Sequence, residues 1–133
     1  MQFVRLFSIT ALVLSSIALF STTARAGELS GRWRSGEWTD DNTGHRGPLK
    51  ARFREKSNGD YRVVYTGRFA LVVPFRFATT MNVVGRDGDK VLLAGESRLP
   101  GFGQFTYQAV ADEDNFNSQY SSRRWRGEFN LNR

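Results

Sequence analysis

The chain contains no cysteine and a single histidine, His45. The first absence removes disulfides, thiol nucleophiles, zinc–thiolate sites and iron–sulfur clusters from consideration. The second leaves His45 as the one imidazole available to any Ser-His or Cys-His arrangement, and no G-x-S-x-G elbow accompanies it. No amphipathic helical pattern longer than a turn occurs after residue 26, and the longest apolar run there is Phe69–Phe75, a candidate for lining a cavity mouth or touching a membrane surface.

That first segment has Arg5, then an apolar run from Leu6 to Phe20, then Ala24-Arg25-Ala26. A charged start, an apolar stretch and an A-x-A site together read as a secretory signal peptide. The run is too short for a membrane span of about 20 residues. Export is therefore expected, to the periplasm, the cell envelope or the medium, with cleavage near Ala26. Residues 27–133 would then form one domain of 107 of the 133 residues, large enough for its own core. Removing Arg5 and Arg25 from the 19 basic residues leaves 17 against 13 acidic ones, a net charge of +4. The basic residues are spread along the chain, so a nucleic-acid interface is not expected.

What the chain does have is alternation. Leu49, Ala51 and Phe53 alternate with Lys50, Arg52 and Arg54, and Phe75, Phe77, Thr79 and Met81 with Arg76, Ala78, Thr80 and Asn82. Trp125, Gly127, Phe129 and Leu131 alternate with Arg126, Glu128, Asn130 and Asn132. A period of two places one set on a buried face and the other in water. Asn58-Gly59 and Asp87-Gly88 mark tight hairpin turns, and Asp112-Glu113-Asp114-Asn115 a polar break. The expected strands span 31–39, 48–56, 61–69, 75–84, 90–97, 102–111, 115–121 and 124–132. Short connections make them an antiparallel meander. The fold class is all-β, a small eight-stranded up-and-down barrel that removes both sheet edges, with a two-sheet sandwich as the alternative.

In such a barrel the three polar turns share one end. The other end gathers Thr39–Gly47, Ala70–Pro74, Ser97–Gly103 and Ser121–Arg124. These loops carry two of the three prolines and most of the loop arginines. Functional residues tend to sit on loops held by a rigid scaffold, so this end is the candidate site. Phe75, Phe77, Phe105 and Tyr107 are expected to line the interior, with Phe102 beside them and His45, Arg46, Arg98 and Arg124 as polar groups at the mouth. No catalytic residue, metal or cofactor is assigned: the D-D-x-x-x-H spacing of Asp40, Asp41 and His45 is a weak ligand pattern, and the acids mostly fall in turns. The function expected is non-catalytic binding of a small apolar or anionic ligand, or an extended one. The alternative is an envelope module with a filled core, whose apolar loops contact a protein partner or a membrane surface.

Leu29-Ser30-Gly31-Arg32-Trp33 and the arginine-rich last strand resemble the lipocalin (calycin) pattern of G-x-W at the start and arginine near the end. The resemblance implies a barrel closed at one end by Arg133 or Arg126 packed over Trp33. Thr43–Phe53, Gly95–Leu99 and the Arg-Gly-x-Phe-x-Leu-x-Arg ending are also similar to small exported bacterial proteins, a resemblance that implies no activity.

Overall fold

The structure, a computed structural model, describes residues 27–70 and 72–133. The expected signal peptide, and Leu71 in the expected 70–74 loop, lie outside the described residues. Among the described residues nine strands occur in chain order: β1 Gly31–Trp33, β2 Ser35–Asp40, β3 Arg46–Glu55, β4 Tyr61–Phe69, β5 Val73–Asp87, β6 Lys90–Leu99, β7 Gly103–Ala111, β8 Asn115–Ser121 and β9 Arg126–Asn132. Strands β2 to β9 pair antiparallel in sequence order, and β9 returns to β2, with Trp38 opposite Phe129. The result is a closed eight-stranded barrel with β1 as an extra short strand on β3, so the open sandwich does not form.

The expected first strand is split at Arg34. Trp33 stands opposite Ala51 but Glu37 opposite Pro48, so four steps on one side match three on the other. One extra residue is thus inserted, as in a β-bulge. It lets Trp33 and Trp38, five residues apart, both point inward and be buried. Strand β5 runs further than expected in both directions. Val73 and Pro74 pair with Phe69 and Arg68, and a register shift between Val83 and Gly85 carries the strand on to Asp87. The last strand starts later, at Arg126, leaving Arg124 and Trp125 in the preceding loop.

Glycines inside the strands sit under large neighbours. A Cβ on Gly127 would collide with the Thr39 carbonyl and the Tyr120 ring, and one on Gly67 would lie 2.5 Å from Phe75 Cζ and 2.6 Å from the Pro48 oxygen. Both glycines face across the ladder toward the aromatic that covers them, Tyr120 and Phe75. Only the absence of a side chain permits that approach.

The end that carries the polar turns is solid. Trp33, Phe53 and Phe116 are each at most 2% exposed. Their rings meet edge-on or tilted, with Phe53 5.4 Å from Trp33 and 5.1 Å from Phe116, in the geometry aromatic pairs prefer. Residues 27–30 fold across this end. Leu29 is fully buried, and its carbonyl accepts from Trp33 Nε1 at 3.0 Å. The Arg133 guanidinium stands 4.5 Å over the Trp33 ring and donates to the carbonyls of Ser30 and Glu28. Arg126 does not share this role: it begins β9 at the opposite end, next to Ser121. Burial of an aromatic under a cation in this way is a stacking contact that arginine makes well.

Candidate ligand-binding cavity

The other end is hollow. Four connections meet there: Asp41–His45, the β4–β5 tip, Pro100–Phe102 and Ser122–Trp125. Between them opens a cavity of about 410 Å³. Its wall is mostly aromatic. Phe105 and Tyr107 on β7 stack at 6.4 Å, and Phe75 and Phe77 on β5 stack at 6.1 Å. Trp125 lies parallel to Phe105 at 6.4 Å and meets Phe102 at 5.3 Å. Trp38, Phe69, Tyr120 and Phe129 complete the ring of apolar surface. Immediately next to Phe77 and Phe129, Tyr65 packs at 5.0 Å from each and is fully buried, separating the hollow part from the solid one.

Of the residues expected at this site, Phe75, Phe77, Phe102, Phe105, Tyr107 and His45 line the cavity. Arg46, Arg98 and Arg124 do not. Arg46 and Arg98 sit at outward positions of β3 and β6, and Arg46 turns to Glu37, its Nη2 donating to Oε1 at 2.7 Å. Arg124 offers its backbone carbonyl instead, which accepts from Asn42 Nδ2 at 2.8 Å and ties two of the four loops together. Arg76, near the start of β5, is the one arginine among the described residues that border the cavity.

Sequence reasoning missed Trp38, Asp40, Thr43, Arg76, Leu99, Tyr120, Trp125 and Phe129 as wall residues, while Phe69 opens the apolar 69–75 run that it marked as a candidate for the mouth. Alternation marks Trp125 and Phe129 as inward-facing. Whether an inward residue lies in the hollow or the solid part depends on the register around the barrel, which alternation does not carry.

The His45 loop is built by Asp40. This buried carboxylate accepts from the Thr43 hydroxyl at 2.6 Å and from the Asn42 amide at 3.4 Å. The Asp40 backbone closes the loop by bonding Gly44 and His45. Gly44 takes a φ of +72° there, which a residue without Cβ adopts freely. His45 is exposed at the lip, with its amide on Thr43 Oγ1 at 3.3 Å. Asp40, Asp41 and His45 do not converge as a metal-binding set among the described residues.

Two wall tyrosines have hydroxyls with partners inside the protein. Tyr120 donates to the Thr39 carbonyl at 2.6 Å, and the Tyr107 hydroxyl shares a 2.7 Å bond with Ser97 Oγ. Burial pushes both phenols above their ordinary value. At Tyr120 the charges of Asp40 and Asp41 add to the rise, and at Tyr107 the bond to Ser97 offsets part of it. Both therefore stay neutral and present rings, not charges, to the cavity.

No family model, curated protein or solved structure matches this chain. A reading of the cavity therefore rests on its own geometry. That geometry is a concave apolar chamber with a few polar groups at the lip, the general form of a small-molecule site.

Proposed function

We propose that this protein is a non-catalytic binding protein that takes a small apolar molecule, or the apolar end of an extended one, into the open end of its barrel. The observation that carries this reading is the cavity of about 410 Å³ walled by aromatic rings. Its volume falls in the range that holds drug-sized ligands, about 300–1,000 Å³. Eight strands give a barrel just wide enough either to be filled by side chains or to hold one such molecule. Here the chain uses both options, one at each end.

The lip favours binding over chemistry. The Asp40 carboxylate is occupied by Thr43 and Asn42, and the hydroxyls of Tyr107 and Tyr120 by Ser97 and the Thr39 carbonyl. None of the three is poised as a base beside a free nucleophile. Export from the cytoplasm, proposed on the first 26 residues, would place such a binder where apolar molecules need a carrier through water.

Native mass spectrometry of the protein purified from its own host tests the reading. A discrete adduct that disappears on denaturation is expected. A clean monomer mass, together with no uptake of added alkyl or aromatic compounds, would contradict it.

A further inference from the structure

The rim of the open end is both apolar and basic. Val72 is 75% exposed, Val73 52% and Phe102 46%. Phe69 stacks on Phe102 at 6.3 Å and joins the β4–β5 and β6–β7 tips into one patch. A contiguous exposed apolar patch marks an interaction surface. Around it stand the exposed side chains of Arg68, Arg76, Arg98, Arg123, Arg124 and Arg126. Against these, the same end has Asp41, the buried Asp40 that holds the His45 loop, Glu37, which is paired with Arg46, and Glu96 and Glu128 on the outer wall just behind the rim, so the arginines remain in excess. The opposite end is mixed in charge: Asp60, Asp87, Asp89, Asp112, Glu113 and Asp114 in its three turns stand beside Lys56, Arg62, Arg86 and Lys90, with Arg86 paired to Glu28 and Lys90 to Asp112. Along the sequence the arginines are dispersed. The meander returns every second connection to the same end, and so gathers them.

We propose that the open end docks on an anionic phospholipid bilayer. The apolar tips enter the boundary between headgroups and acyl chains, and the arginines meet the lipid phosphates. Guanidinium groups suit this role because they bind phosphate through two parallel N–H donors and keep their stems in apolar surroundings. The mixture of exposed apolar tips with an excess of arginine separates a bilayer from a purely polar polyanion, which would gain nothing from Val72 or Phe102. Among the described residues the far end offers mixed charge and no exposed apolar tip, so the orientation with the cavity mouth toward the lipid is set by the apolar tips and arginines of the rim itself. The docking surface stands on the rim and not on what the cavity holds.

Vesicle flotation tests it. The protein is expected to float with phosphatidylcholine vesicles containing about one-third phosphatidylglycerol, to stay behind with pure phosphatidylcholine, and to be released as salt is raised. Arg123→Glu with Arg124→Glu should lower partition about twenty-fold or more. Val72→Ser with Val73→Thr should lower it several-fold. The same charge reversal at the far end, Lys56→Glu with Arg62→Glu, should leave it unchanged. Three results would overturn the proposal. These are no flotation of the unaltered protein, equal loss from the far-end reversal, and binding indifferent to the Val72 and Val73 changes, which would mark a polyanion surface instead. Uptake of a soluble apolar dye, measured on the same samples without vesicles, keeps the two readings apart. Loss of dye uptake with flotation intact would sink the cavity reading alone.

Discussion

The two ends of this barrel are made from the same alternating strands and reach opposite outcomes. Around Trp33, Phe53 and Phe116 the rings interlock and residues 27–30 cover the end under the Arg133 guanidinium. Around Phe75, Phe105 and Trp125 the rings stand against the wall, largely stacked on neighbours along the same side, and leave the centre open. Aromatic content alone therefore does not fill a barrel. What differs is whether a cross-chain element caps the end. Residues 27–30 do so at one end, and at the other the four loops meet only at the rim, through Asn42 to the Arg124 carbonyl and Phe69 on Phe102, with no described segment folded across the centre.

The contrast is broken most forcefully by truncating one ring at each end. Trp33→Ala should cost about 3–5 kcal/mol, because its closely packed surroundings cannot collapse. Phe105→Ala should cost less than half of that, since one face already borders open space. Urea denaturation of the two variants measures the difference, and equal losses would mean that the open end is as tightly packed as the solid one.

Gly127→Ala comes next. Its new methyl would meet the Thr39 carbonyl and the Tyr120 ring, and overpacking of this kind costs about 1–3 kcal/mol or more. It should also break the Tyr120 hydroxyl bond to Thr39 and so disturb the cavity wall. Unchanged stability would show that the β2–β9 seam closes more loosely than described.

Alkaline pH tests both halves together. All four tyrosines of the chain, Tyr61, Tyr65, Tyr107 and Tyr120, have phenols pushed up, chiefly by burial. A raised folded value contributes stability that is fully present below the unfolded value of about 10 and is lost as pH rises above it. Stability should be level through neutral pH and fall from about pH 10 upward, with phenolate absorbance appearing together with unfolding. Tyrosines that ionise while the fold persists would contradict the burial.

The smallest effect concerns Tyr65, whose buried hydroxyl has no hydrogen-bond partner among the described residues. Tyr65→Phe should be neutral or slightly stabilising. Tyr107→Phe, which loses the bond to Ser97, should cost about 1 kcal/mol. Thermal denaturation of the pair decides the matter, and a large loss from Tyr65→Phe would reveal a partner for that hydroxyl.

The strand order and the placing of the loops at two ends were legible because alternation and the Asn-Gly and Asp-Gly turns are local signals. The split of the first strand also left a trace. Trp33 and Trp38 lie an odd number of residues apart, so both can face inward only across a bulge. The site was legible in part. Inward rings such as Phe75 and Tyr107 follow from alternation, but their height in the barrel depends on register and on β2–β9 closure. Arg46 and Arg98 were placed at the mouth by their nearness to loops. Their outward parity in β3 and β6 turns them to the outer wall of that end and out of the cavity. The gathering of arginines on one rim has no local signature, because it arises from the meander.

The three tryptophans divide between the two ends, Trp33 in the solid one and Trp38 and Trp125 on the cavity wall. The most direct measurement is a nuclear magnetic resonance titration of their indole N–H signals with a medium-chain alcohol. Binding in the open end should shift the Trp38 and Trp125 signals in a saturable way and leave Trp33 in place. No saturable shift, or an equal shift at Trp33, would contradict a barrel that is hollow at one end and solid at the other.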